Sequence, residues 1–185
     1  AHPWHGQPVL SEEEFCVQAR KVHDRGWQIF AHANGDAAID MAIRCFDALG
    51  IKAADNRRPI VIHSQFQRPD QFAAYKRIGV GPSYFSNHAW YWADVHRTNF
   101  PKDVVDFISP LRSALAAGLI PSNHSDFSVT PLDTRFMLWT SMARVSPTGV
   151  VSGADERLNA YEALQALTTG PAWQGVAEAL AAEAM

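Results

Sequence analysis

The sequence has little that marks a special class of protein. Cysteine is nearly absent: Cys16 and Cys45 are the only two in 185 residues. Both fall in segments with helical patterning, so they read as free, packed thiols, which suits a reducing compartment such as the cytoplasm. No apolar run approaches the roughly 20 residues that span a membrane, so no membrane partner is expected. No block of like charge is present and the net charge is −3, which gives no footing for nucleic acid or an anionic surface. Gly35 and Gly79 stand alone, so no glycine-rich loop offers to cradle a phosphate. Ser64 and Ser125 lack the glycine-flanked elbow of a serine hydrolase. The beginning, Ala1-His2-Pro3-Trp4-His5, lacks the basic and apolar regions of a signal peptide.

What remains is a repeated arrangement. Short apolar runs end in residues able to bind metal or handle protons. Trp27 to Ala31 ends at His32, Pro59 to Ile62 ends at His63, and Leu119 to Asn123 leads to His124 and Asp126. A fourth strand is expected over Gly79 to Tyr84. Between these runs lie helical patterns. Ser11 and Glu14 form a capping box for a helix to about Asp24, and Asp36 can cap a helix over Ala37 to Leu49. Pro69 precedes a helix over Asp70 to Arg77, and Pro110 opens one through Ala117. Further helices are expected over Leu132 to Arg144, over Ala160 to Leu167 behind Asn159 and Glu162, and in the alanine-rich tail after Gly175. The stretch from Tyr84 to Trp92 reads as irregular and aromatic.

Alternating strands and helices imply an α/β fold with parallel strands, in one domain over residues 1–185. A doubly wound sheet and part of a (β/α)₈ barrel both fit. In either, function gathers at the carboxyl ends of the strands, where His32, His63 and Asp126 fall. Two imidazoles and a carboxylate suit zinc, manganese or iron. A metal ion there would acidify water and polarise a carbonyl, with Asp126 as general base and then acid. His124 is two residues before Asp126 and could share its face. His88, Tyr84 and Trp90 are candidate substrate contacts, with Tyr91 beside them, and Asp36 could orient His32 from behind. His2, His5, His23 and His96 carry no pattern that singles them out.

Three segments carry a family likeness: His32-Ala33-Asn34-Gly35-Asp36-Ala37-Ala38-Ile39-Asp40, Ile60-Val61-Ile62-His63-Ser64-Gln65, and Ser122-Asn123-His124-Ser125-Asp126-Phe127-Ser128-Val129-Thr130-Pro131. Together they resemble the amidohydrolase superfamily, in its family 3 branch that includes N-substituted formamide deformylases. Ile62 and Ser64 depart from that branch's usual Glu-His-Ala-Gln. The resemblance implies the C-terminal half of a metal-dependent TIM (β/α)₈ barrel, strands five to eight with their helices. It implies His32, His63 and Asp126 as ligands of one or two divalent ions, zinc first, and hydrolysis of a non-peptide amide-type C–N bond in a small molecule. The strand-one His-x-His pair and the terminal β-sandwich of that family have no counterpart in this sequence. The expectation is therefore a fragment that needs the missing N-terminal half of the barrel, or a self-complementing homo-oligomer. The alternative is a non-catalytic metal-binding or assembly fragment of a longer amidohydrolase.

Overall fold

The computed structural model describes residues 6–175. The chain opens with α1 (Glu12–Asp24), β1 (Phe30–Ala33) and α2 (Asp36–Ala48), then β2 (Ile60–His63), α3 (Gln71–Ile78) and β3 (Gly81–Tyr84). Four short helices follow: α4 (His88–Tyr91), α5 (Ala93–Asn99), α6 (Lys102–Asp106) and α7 (Leu111–Ala116). Then come β4 (Ser122–Asn123), α8 (Thr134–Ala143), α9 (Ala160–Leu167) and α10 (Thr169–Gln174). The four strands form one parallel sheet in the order β1-β2-β3-β4. The order is consecutive, without the reversal that a doubly wound sheet requires, so that alternative falls away.

Alternation along the strands sorts the two faces of the sheet. Ala31, Ala33 and Val61 are buried under the helices and belong to a core with Ile39, Phe46, Tyr75, Ile78 and Leu111. The other face carries Phe30, which is 58% exposed, and His32. At its amino end this face is closed by α10, where Gln174 bonds to the carbonyls of Pro82 and Ile120.

Local signals placed the helices well, except that Asp36 does not cap α2: it is the first residue of the helix, behind Gly35, and gives no side-chain cap bond. Both capping boxes form, at Ser11 with Glu14 and at Asn159 with Glu162. The first strand begins later than expected, at Phe30. Trp27 bonds back to the carbonyl of Val22, and the Gln28 side chain reaches the carbonyls of Arg58 and Gln174 instead of extending a strand. The fourth strand is two residues long because Pro121 offers no N–H to a ladder. The aromatic stretch is partly regular: Tyr84 ends β3 and His88–Tyr91 form a short helix, with Tyr91 N bonded to Asn87 O at 2.9 Å. Cys16 and Cys45 are joined in a disulfide between α1 and α2, Cα atoms 5.4 Å apart. That corrects the expectation of free thiols and removes its argument for a reducing compartment. The tail after Gly175, and His2 and His5, lie outside the described residues.

Candidate metal centre

Every chemically able side chain in the site comes from the carboxyl end of the sheet. His32 stands on the exposed face of β1. His63 ends β2, and strict alternation from Val61 would turn it under the helices. It does not go there. Its φ is +71° and that of Ser64 is +43°, both left-handed, and this break in the strand brings its ring to the other face. The His63 ring lies 4.7 Å from His32 and 4.9 Å from His124, centroid to centroid. His124 continues the ladder beyond β4, with its N–H on the carbonyl of Tyr84 at 2.9 Å. Asp126 follows in a left-handed conformation, φ +52°, which turns its carboxylate back toward the sheet.

The result is a cluster of His63, His124 and Asp126 whose donor atoms all lie within 4.8 Å of one another. His124 Nε2 is 3.3 Å from His63 Nδ1, and His63 Nε2 is 4.0 Å from Asp126 Oδ1. These two distances use different nitrogens of His63, and a ring lends an ion only one of them; with one donor atom from each residue the three still lie within 4.8 Å of one another, close enough to close on a single ion. The donor set fits as well: two borderline nitrogens and one hard oxygen. Burial, reinforced by His63 and His32, pushes the His124 pKa down to about 3. Burial and His32 also lower that of His63, against the pull of Asp126. Both rings are thus held neutral, the form that ligates a metal.

The structure redistributes the expected roles. His63 and Asp126 fall where the strand pattern put them. His124, expected as a substrate contact, stands instead among the donor atoms. His32 packs edge-on against His63 without entering the three-residue cluster. His88 is buried beside them, its ring 6.0 Å from His63 and 4.5 Å from Phe85. Its Nδ1 has no partner, and burial followed by the neighbouring histidines drives its pKa well down.

Three expected residues do not reach the site. Tyr84 points to the helix side, fully buried, and its hydroxyl donates to Gln67 Oε1 at 2.6 Å. Strand parity explains this, since its register partner is Asn123 and not Ser122. Trp90 packs on Phe136 and Trp139, at 5.8 and 5.2 Å. Asp36 bonds to Arg68 and to the N–H of Ala37 rather than to His32. Arg68 holds Asp40 and Asp70 as well, so this carboxylate serves the α2–α3 contact.

Residues not singled out take the vacated places. Phe85 stacks on His124 at 5.5 Å and Trp92 lies 5.5 Å from His88, so these two wall the site. Both belong to the aromatic stretch already noted. Ser83 Oγ meets His124 Nδ1 at 3.0 Å, and the signal for it is the two-residue parity that links Ser83 to Gly81.

Known structures share this arrangement of chain. An uncharacterized metal-dependent hydrolase from Pyrococcus horikoshii OT3 superposes with a TM-score of 0.81 at 22% identity, over 94% of this chain and 35% of that one. Its counterpart from Pyrococcus furiosus gives 0.78 at 21%, over 94% and 34%. An atrazine chlorohydrolase from Arthrobacter aurescens TC1, in complex with zinc, gives 0.57 at 17%, over 91% and 36%. At these identities the likeness is one of fold, and the chain spans about a third of the length of these proteins. No curated protein sequence matches it. The amidohydrolase family model matches residues 1–179, nearly the whole sequence, and the chain belongs to that family.

Proposed function

We propose that this chain is the strand-five-to-eight half of an amidohydrolase (β/α)₈ barrel, of the branch that includes N-substituted formamide deformylases. The complete barrel hydrolyses an amide-type C–N bond in a small molecule with a divalent metal ion, zinc first. The convergence of His63, His124 and Asp126 at the carboxyl ends of adjacent parallel strands carries this reading. Consecutive strand order and the exposed inner face at Phe30 and His32 support a barrel completed by other strands. The similar structures, about three times as long, give room for them. Those strands come from the N-terminal half or from a second copy of the chain.

His63, His124 and Asp126 would hold the ion, and His32 stands at the sheet edge to add a further nitrogen. When bound, the ion would supply Lewis acidity for the carbonyl and for water. Asp126, at the rim, takes the proton of the attacking water and returns it to the leaving nitrogen. His88 faces the substrate between Phe85 and Trp92, whose rings keep bulk water from the reacting carbonyl.

The test is metal content by elemental mass spectrometry on chain purified without added metal, with mass in solution by light scattering. Near-stoichiometric zinc is expected, and His63→Ala should lose most of it. Asp126→Asn, in the completed barrel, should keep part of the metal while hydrolysis of an N-substituted formamide falls by roughly 100-fold or more. Unchanged metal in His63→Ala would overturn the ligand assignment, and full turnover in Asp126→Asn would remove the proton-handling role.

A further inference from the structure

Arg144 is the largest fully buried side chain among the described residues, and nothing said so far of the metal centre uses it. It follows α8 in a left-handed conformation, φ +48°, and its guanidinium meets three backbone carbonyls. Nε donates to Ser152 O at 2.8 Å, Nη1 to Ser109 O at 3.2 Å and Nη2 to Ile108 O at 2.5 Å. Burial pushes its pKa down to about 10, against the pull of Glu156 and Asp106, so the group stays a cation at neutral pH. Taking a cation out of water is costly. The chain also keeps room for it: a Cβ on Gly153 would lie 1.9 Å from Asp106 O and 3.1 Å from Arg144 Nη2.

The two consecutive carbonyls lead to the site. Arg144 grips the carbonyl before Ser109 and that of Ser109 itself, and Ser109 is buried and left-handed, φ +49°. The Ile108 carbonyl and the Ser109 N–H are the two ends of one planar trans peptide and point opposite ways. Fixing the first therefore aims the second. The Ser109 N–H donates to the carbonyl of Gln65 at 2.9 Å, and the Ser109 hydroxyl to that of Phe85 at 3.4 Å. Gln65 directly follows His63 and Ser64, the left-handed pair whose turn takes the His63 ring to the inner face. Phe85 carries the ring stacked on His124. Ser64 Oγ, 2.9 Å from the Tyr75 hydroxyl, steadies the middle of the turn, and Ser109 holds its exit.

We propose that Arg144, by fixing the Ile108–Ser109 peptide, holds the exit of the His63 turn and so presents His63 to the metal cluster. It is a positioning residue, acting through Ser109 and Gln65. A planar fork suits the task, because carbonyls converging from Ile108, Ser109 and Ser152 need donors in fixed directions, which a lysine ammonium does not supply. The placement of His63 is a property of the metal-free chain; its consequence for metal binding rests on the function proposed above.

The experiment reads the His63 ring directly, by NOE spectroscopy on the full, metal-free chain at about pH 8, above the ordinary histidine range. Ring cross-peaks from His63 to His32 and to His124 are expected, in keeping with centroid distances of 4.7 and 4.9 Å. In Arg144→Met, which fills the space without donors, both should be lost. Zinc affinity by competition with a chelating dye should fall roughly 10-fold there, the lower end for a group that orients a ligand from behind. Arg144→Lys should show smaller losses of both, and it decides the matter if Arg144→Met does not fold. Cys16→Ser weakens the α1–α2 contact without touching Arg144 or Ser109, so its urea midpoint should fall while cross-peaks and zinc affinity stay. Full cross-peaks in a folded Arg144→Met, or in Arg144→Lys where Arg144→Met does not fold, would overturn the proposal. So would equal losses in Cys16→Ser, or lost cross-peaks beside unchanged zinc affinity. Lost cross-peaks in a chain whose unaltered form binds no zinc would uphold the positioning of His63 and count against the metal-dependent reading alone.

Discussion

The two ends of the sheet are built to opposite rules. At the amino end, Gln174 and Gln28 satisfy four backbone carbonyls between them, and Arg58 bonds to the carbonyl of Trp173 while lying 4.7 Å over its ring. Side chains there meet without spare room: a Cβ on Gly81 would come within 2.8 Å of Ile60 Cδ1 and 2.9 Å of Gln174 Cγ. At the carboxyl end, three non-glycine residues, His63, Ser64 and Asp126, sit in left-handed conformations. Imidazoles crowd together there, and His88 keeps an unpartnered nitrogen. Arg58 at the amino end is left-handed too, φ +44°, with its side chain anchored on Trp173; at the carboxyl end the same local costs, of order 1–3 kcal/mol each, fall on or beside the chemically able side chains.

The sharpest way to break this contrast is to disturb the packed end. Gly170 opens α10 against β4, and a Cβ there would lie 2.3 Å from the carbonyl oxygen of Pro121. Because the obstacle is backbone, α10 must move. Gly170→Ala should cost about 3 kcal/mol, or roughly 10 °C in Tm. Calorimetry checks this, and an unchanged Tm would show that α10 is not a fixed closure of the sheet.

A smaller effect should come from acid, through the crowded end. The folded-state pKa of His124 is pushed down to about 3, by burial first and then by His63 and His32. In the unfolded chain it titrates near 6.5. Above that value the ring is neutral in both states and adds no pH dependence. Below it the unfolded chain takes up a proton that the folded chain refuses. Stability is therefore lost progressively as pH falls from about 6.5 toward about 3, by on the order of 2 kcal/mol at pH 5 from His124 alone. His63 and His88, also lowered, act in the same direction. The urea midpoint of metal-free chain at pH 7 and pH 5 measures it. His124→Gln should flatten the slope, and an equal slope in that variant would place the titration elsewhere.

What could be read from the residues follows the same division. Features whose partners are near in sequence were legible, such as the capping boxes at Ser11 with Glu14 and Asn159 with Glu162. So were the strand-end positions of His63 and Asp126, because apolar runs ending in polar ligands mark the carboxyl edge of a parallel sheet. Roles decided by strand parity or by remote partners were not. Tyr84 and Ser83 are neighbours in sequence, yet the pleat sends one to Gln67 under the helices and the other to His124. Trp90 is claimed by Phe136 and Trp139 of α8. Cys16 and Cys45 lie in correctly anticipated helices, but nothing local says that those two faces meet. The inward turn of His63 runs against alternation and depends on a left-handed φ that no neighbouring glycine announces.

Asp36 gives the finest test of where the functional end stops. It is two residues from Asn34 and four from His32, close enough in sequence to suggest that it orients the histidine. Its carboxylate is instead 2.9 Å from Arg68, with half its side chain exposed. Arg68 keeps Asp40 and Asp70 when Asp36 is removed, so Asp36→Ala deletes one member of an exposed network and strands no buried charge. The expected loss is below about 1 kcal/mol. Zinc affinity should stay within roughly twofold, because a residue that orients a metal ligand would cost roughly 10- to 100-fold on removal. Chemical denaturation and zinc competition on the same variant separate the two. A tenfold loss of zinc with stability intact would return Asp36 to the service of His32 and extend the functional end of the sheet into α2.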